Sequence, residues 1–255
     1  MSLTRLILRF AAPVPHPEQF DRVLMIGPHP DDIEIGAGAT AAKLAAQGKK
    51  ICMLICTDGR FGTANAPRGI SGDELAALRM EEARASARVL GVTDVRFLGL
   101  RDGAGYTEDE LLRGIAQTVA DFQPEILFAP DPFVRGESHA DHLRVGQAAR
   151  QIACFAPYDG IMQTYGAAAA PVKAVAYYMT ASPNRFVATR KTMDQQMQAI
   201  FDCHLSQYPK DCADANAIRT YLKLRSIDFG IRSLRGCAEG FRVQGALHMH
   251  CLPEA

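Results

Sequence analysis

Short apolar runs recur through the first 180 residues, and each is followed by a longer segment whose apolar positions return every three or four residues. "RVLMIG" (22–27) reads as a strand, and "GATAAKLAAQG" (38–48) as a tightly packed helix with a glycine stop. "KKICMLICTDG" (49–59) is a second strand and "SGDELAALRMEEARASARVLG" (71–91) a second helix, opened by Ser71 with Glu74 in a capping box. "DVRFLGL" (94–100) and "PEILFAP" (124–130) are strands on either side of "TEDELLRGIAQTVADF" (107–122), a helix in which Thr107 and Glu110 repeat the capping box. A helix over 143–155, a fifth strand "KAVAYYMT" (173–180) and a helix from about 189 to 204 complete the regular part. Residues 166–171, "GAAAAP", read as a loop.

Strands alternating with helices imply parallel pairing, right-handed crossovers and helices on both faces of the sheet. The expected fold is therefore α/β, a Rossmann-like three-layer arrangement with a mostly parallel sheet ordered 3-2-1-4-5. One domain over residues 1–255 is expected, with a core at about 20–204 and a C-terminal elaboration at about 205–255. That tail is less regular, and is expected to lie over the site or to form a subunit contact. Ligands of such sheets bind beyond the carboxyl ends of the strands, where strand order reverses. In this order the reversal lies between strands 1 and 4.

Two polar stretches follow those strands. "GPHPDDIEIGAG" (27–38) leaves strand 1, and "SHADHLRVG" (138–146) follows strand 4, so His29, Asp31, Asp32, His139, Asp141 and His142 converge on one crevice. Two neutral imidazoles with one carboxylate suit zinc, which in catalytic sites takes three protein ligands and keeps one position open for water. The set holds more groups than three ligands require, which leaves candidates for proton transfer. Taken alone, "HPDD" fits helix capping and turn chemistry equally well; its pairing with HxDH favours the functional reading.

With these motifs the chain resembles the PIG-L/LmbE-like family of zinc-dependent N-deacetylases, relatives of the mycothiol- and bacillithiol-synthesis deacetylases and the diacetylchitobiose deacetylases. "TDGRFGT", "RMEEARASARVLGV", "GLRDG", "HLSQ" and "AEGFR" add weaker matches along almost the whole chain. The resemblance implies that His29, Asp32 and His142 bind Zn2+, with Fe2+ as an alternative ion. It implies Asp31 as the general base, His139 as the group that stabilises the tetrahedral intermediate, and Asp141 as the carboxylate that orients His139. Arg79 and Asp102 match substrate-binding positions. The implied activity is hydrolysis of an N-acetyl or related N-acyl group on an amino sugar or glycoconjugate, by attack of a zinc-bound water. The leaving amine then takes its proton from Asp31 or His139. Two positions depart from the family pattern: Ala140 replaces the usual proline of the second motif, and Ile33 replaces the usual acid after the paired aspartates, with Glu34 next. Other readings of the same residues are a non-heme iron enzyme on the His/Asp/His site and a non-catalytic sugar-binding module, against which the presence of both Asp31 and His139 argues.

Composition narrows the partners. Lys+Arg and Asp+Glu both number 28, and no long run of one sign occurs, so neither nucleic acid nor an anionic membrane is expected as a partner. No run is long enough for a transmembrane helix, and Arg5 and Arg9 within the first apolar stretch argue against a signal peptide. Seven scattered cysteines without a CxxC pair point to a reduced, cytoplasmic setting. A homo-oligomer is left open by the family resemblance. Cys52 and Cys56 fall on one strand face and read as core residues. Gly36 and Gly38 lack full GxGxxG spacing and read as close-packing positions. His204 reads as structural. His248, His250 and Cys251 in "ALHMHC" lie close enough to imitate a metal site, and the alternation of His248 and His250 places them on one face of a strand, where a second metal could bind. Glu239, Phe241 and Arg242 either position the tail or touch substrate.

Overall fold

In the computed structural model, which describes residues 7–8, 10–210, 212–250 and 252, the strand–helix alternation builds one seven-stranded sheet. The strands are β1 (Arg22–Gly27), β2 (Lys50–Thr57), β3 (Asp94–Leu100), β4 (Ile126–Pro130), β5 (Ala174–Tyr178), β6 (Arg185–Ala188) and β7 (Ala238–Gly245). Their order is β3-β2-β1-β4-β5-β7-β6. The first five are parallel neighbours in the expected order, with β1 central and paired to both β2 and β4. β7 runs antiparallel to β5 and to β6.

The helices are α1 (Asp32–Ala46), α2 (Gly72–Val89), α3 (Glu108–Phe122), α4 (Ala140–Phe155), α5 (Asp159–Thr164), α6 (Met193–Phe201), α7 (Ala213–Ser233) and α8 (Ala246–His250). They cover the two sheet faces because successive strand side chains point opposite ways. Leu24, Ile26, Cys52, Leu54, Cys56, Leu127 and Tyr177 pack toward α3 and α4. Val23, Met25, Met53, Ile55, Phe128 and Tyr178 pack toward α1, α2 and α6. Cys52 and Cys56 are thus core residues on one face, as their spacing required, and the six cysteines among the described residues are free. Both expected capping boxes, Ser71 with Glu74 and Thr107 with Glu110, are formed.

The structure departs from the sequence reading at four places. Helix α1 begins at Asp32, six residues before the expected start, and is broken at Ala37 (φ −151°, ψ 15°). The pattern-based start at 38 marks its second half, because the polar "HPDD" masks a first turn in which acidic side chains favour the positive end of a helix dipole. The tail is more regular than expected: it supplies the 21-residue α7 and then β7, which enters the sheet between β5 and β6. Strand β6, four residues long, gives too short a pattern to read. His248 and His250 lie in α8 and not on a strand. His248 is turned to the Ala12 carbonyl through Nε2 and accepts from Gly245 N through Nδ1, and Cys251 lies outside the described residues. The geometric premise for a second metal site there is therefore absent.

Gly36 stands where the start of α1 crosses β5: a Cβ built on it would lie 2.1 Å from the Tyr178 ring. The Tyr178 hydroxyl is anchored on Ile26 O at 2.8 Å, so the ring has little freedom to retreat. Alanine would gain about 1 kcal/mol of helix propensity, but overpacking of this kind costs about 1–3 kcal/mol. Gly36→Ala is expected to lower the urea midpoint; an unchanged or raised midpoint would show that the contact does not constrain the fold.

Candidate active site

The carboxyl ends of β1, β3 and β4 deliver the polar residues to one place. The β1–α1 loop carries His29, Asp31 and Asp32; Asp102 follows β3; His139, Asp141 and His142 open α4. Asp31 sits immediately before α1 with φ 135°, a conformation that side-chain-bearing residues rarely adopt. Strain of this kind persists where surrounding contacts fix it, and here both Asp31 oxygens are engaged. Tyr208 donates its hydroxyl to Oδ2 at 3.0 Å, and Arg79 Nη2 lies 3.4 Å from Oδ1.

His29 is the centre of the group. Its Nδ1 lies 3.0 Å from Asp32 Oδ2, and its Nε2 lies 3.2 Å from both Asp141 Oδ2 and Asp102 Oδ1. On the other side of Asp32, His142 Nε2 approaches Oδ1 at 3.4 Å, while His142 Nδ1 is 2.9 Å from Glu137 Oε2. Each of the two imidazoles thus presents one nitrogen to Asp32 and holds its other nitrogen against a carboxylate. That is the arrangement by which metal-ligating histidines are oriented and made more basic. Ligand atoms from His29, Asp32 and His142 all lie within 4.8 Å of one another, and the donor set of two imidazoles and a carboxylate fits a divalent ion such as zinc.

His29, Asp102, His139 and Asp141 form an overlapping cluster, but its carboxylates are already committed. Asp141 accepts from Gly103 N, Ala104 N and the Tyr106 hydroxyl at 2.8–2.9 Å, and Asp102 accepts from Phe61 N and Gly103 N. These carboxylates serve better as holders of His29 than as a cradle for an ion.

The electrostatics follow from burial and charge. Burial works against a charged His29, but its hydrogen bonds to the carboxylates of Asp102, Asp141 and Asp32 outweigh that and raise its pKa to about 12. Burial likewise opposes charge on His142, while the Asp32 carboxylate raises it to about 9. Asp32 is desolvated yet held ionised by His142 and His29. Asp31 moves the other way: desolvation raises its pKa, and Arg79 offsets that only in part.

His139 is the N-cap of α4. Its Nδ1 accepts from Asp141 N at 3.3 Å, its ring meets that of His29 edge-on at 4.7 Å between centroids, and about half of its side chain is open to solvent. The Asp141 carboxylate is 3.8 Å from that Nδ1, so the Asp141 amide makes the closer contact with His139. Arg79 is 3% exposed, with Nη1 on Gly59 O at 3.0 Å and Nη2 on Pro30 O at 2.8 Å. Asp102 is 6% exposed. His204 is wholly buried and paired with Glu34 at 3.3 Å, the structural role read from its sequence.

Tyr208 and Glu137 escaped the sequence reading. Glu137 stands two residues before His139, and an acid so near HxDH is a usable signal. Tyr208 lies 177 residues from its partner Asp31, and no local pattern links them.

Residues 24–153 match the family model described as PIG-L, GlcNAc-PI de-N-acetylase. The chain is 32% identical over 237 residues to the diacetylchitobiose deacetylase of Thermococcus kodakarensis, covering 92% of this chain and 87% of that protein. It is 29% identical over 197 residues to a 1D-myo-inositol 2-acetamido-2-deoxy-alpha-D-glucopyranoside deacetylase of Kineococcus radiotolerans, covering 66% and 54% respectively. Among solved structures, an N,N'-diacetylchitobiose deacetylase from Pyrococcus horikoshii aligns with a TM-score of 0.87 at 30% identity, covering 100% of this chain and 97% of that one. A 4-carboxy-2-hydroxymuconate hydratase from Pseudomonas putida shares the fold, with a TM-score of 0.71 at 20% identity over 87% of this chain and 95% of that one. Fold alone therefore does not fix the chemistry.

If Glu137 orients His142 toward an ion, Glu137→Gln should weaken zinc affinity by about 10–100-fold without loss of helical circular dichroism. Competition against a chromophoric chelator measures this, and an unchanged affinity would remove Glu137 from the site.

Proposed function

Because the chain belongs to the PIG-L family, we propose that it is a metal-dependent deacetylase acting on N-acetylglucosamine-type amino sugars or their conjugates. The observation that carries this reading is the pairing of His29 and His142 on opposite sides of Asp32, each backed by a carboxylate. The names of the relatives supply the substrate class: diacetylchitobiose in one and an N-acetylated glucosaminyl inositol in another.

His29, Asp32 and His142 would hold the ion, zinc by donor type and Fe2+ as the alternative. A divalent ion there supplies polarisation of the amide carbonyl and a water of lowered pKa. Asp31 accepts the proton of the attacking water. Its raised pKa suits that task, because a general base works best when its pKa approaches the working pH. Tyr208 and Arg79 fix the Asp31 carboxylate so that its orientation is set before substrate arrives.

With Nδ1 accepting from the Asp141 amide, the hydrogen of a neutral His139 resides on Nε2. From there it donates to the oxygen that becomes anionic, a contribution of about 3–4 kcal/mol for a well-placed donor. Asp141 serves both histidines: its amide orients His139 and its carboxylate holds His29. Arg79 and Asp102 assist from behind the reacting groups, Arg79 by fixing Asp31 and the neighbouring carbonyls, Asp102 by holding His29. The whole chain then works as one catalytic domain, since Tyr208 of the C-terminal segment completes the base. Among the described residues no helix is long and apolar enough to cross a membrane.

Zinc-loaded protein is expected to release free amine and acetate from N-acetylglucosamine or diacetylchitobiose, and removal of the metal by a chelator should abolish release. Asp31→Asn should bind zinc as tightly as the wild type while turnover falls by about 100-fold or more. Full turnover in the metal-loaded variant would overturn the base assignment.

A further inference from the structure

A broken helix leaves two sets of backbone groups without partners, the carbonyls that end the first half and the amides that begin the second. In α1 the break at Ala37 leaves a first half only about one turn long. That turn begins at Asp32, with Asp31 just before it. Its backbone is therefore not carried by a long continuous helix and needs other support.

The support comes from two side chains on other elements. Gln196, on α6, donates from Nε2 to Glu34 O at 2.8 Å and lies 3.5 Å from Ile35 O. Glu239, on β7, accepts from Ala39 N at 3.2 Å and Thr40 N at 2.7 Å, the amides that open the second half. The two side chains also join each other, Gln196 Nε2 donating to Glu239 Oε1 at 2.9 Å. Thr192 Oγ1 adds a bond to Ala39 O at 2.7 Å. Gln196 is 2% exposed and Glu239 is 8% exposed. A carboxyl group in such a place is costly to bury: desolvation raises the Glu239 pKa to about 7, and three N–H donors offset that only in part.

We infer that Gln196 and Glu239 are positioning residues: together they hold the break in α1 and so set where Asp32 and Asp31 stand relative to His29 and His142. This rests on the metal and base roles given above. Neither residue is placed to touch substrate. Both line a shallow pocket open to solvent, with Leu222, Ser226 and Phe229, and none of the site's histidines or aspartates lines it. Glu239 thus gives the tail a second hold on the site, independent of Tyr208, because β7 reaches α1 only by being inserted in the sheet.

Gln196→Ala removes the donors to the first half, and Glu239→Gln puts an amide where the backbone amides of Ala39 and Thr40 require an acceptor. Each variant is compared with wild type and with Ile115→Ala, a buried change on the opposite face of the sheet that provides a destabilised control. Zinc affinity is measured by chelator competition, the visible spectrum of the Co2+-loaded protein reports ligand geometry, and circular dichroism reports folding. In folded variants, zinc affinity should fall about tenfold or more and the Co2+ spectrum should change, with kcat reduced and KM little altered, while Ile115→Ala keeps the wild-type spectrum. If Glu239→Gln does not fold, Gln196→Ala decides. Wild-type affinity and spectrum in a folded Gln196→Ala, or the same spectral change in Ile115→Ala, would overturn the inference. Failure of the wild type to bind zinc would overturn the site reading itself, whereas zinc binding unaffected by either variant would overturn the positioning role alone.

Discussion

Three buried carboxylates, those of Asp32, Asp102 and Asp141, converge on the imidazole of His29. Even with that imidazole charged, three negative charges face at most one positive charge on it, and buried charge of one sign is expensive unless compensated. Part of the compensation is local: Asp141 takes two backbone amides and the Tyr106 hydroxyl, and Asp102 takes two amides. Asp32 takes one amide, His29 N at 2.8 Å, and the side chains against it are the two histidines, each with its other nitrogen committed to a carboxylate. A divalent cation held by His29, Asp32 and His142, as proposed, would satisfy all three donors at once. The positions of the remaining residues make sense around that requirement.

The fold meets the requirement by bringing strand ends together from distant parts of the chain. β1 lies between β2 and β4, so the loop carrying "HPDD" and the N-terminus of α4 face each other across the switch in strand order. Two further elements adjust the geometry. α1 is broken after one turn, so that its first residues point into the site while its second half packs on the sheet, and the C-terminal segment returns to secure it through Tyr208 and Glu239. The site is local at its motifs and global in its support.

Much of this was legible in the sequence because the signals were periodic or local. The parallel pairing of the first five strands followed from strand–helix alternation, and the convergence of His29, Asp31, Asp32, His139, Asp141 and His142 followed from where two motifs sit on the order expected of a Rossmann-like sheet. The early start of α1 was hidden because "HPDD" serves a turn as well as a first helical turn. β6 was too short for a period of two to show, and β7 contains Gly240 and Arg242 in a pattern that mixes apolar and polar residues. His248 and His250 illustrate the opposite error, in which a two-residue spacing mimics strand alternation within a five-residue helix. The family pattern offered Arg79 and Asp102 as substrate-binding positions. Their burial and their partners required the three-dimensional packing, as did the contact of Tyr208 with Asp31.

X-ray absorption at the zinc edge of the metal-loaded protein tests the central claim most directly, since it reads the ligand shell without assuming a substrate. The account predicts a first shell of nitrogen and oxygen at about 2.0–2.2 Å, with multiple scattering from two imidazoles that drops to one in His142→Ala. A sulfur shell at about 2.3 Å, or an imidazole count unchanged by His142→Ala, would contradict it.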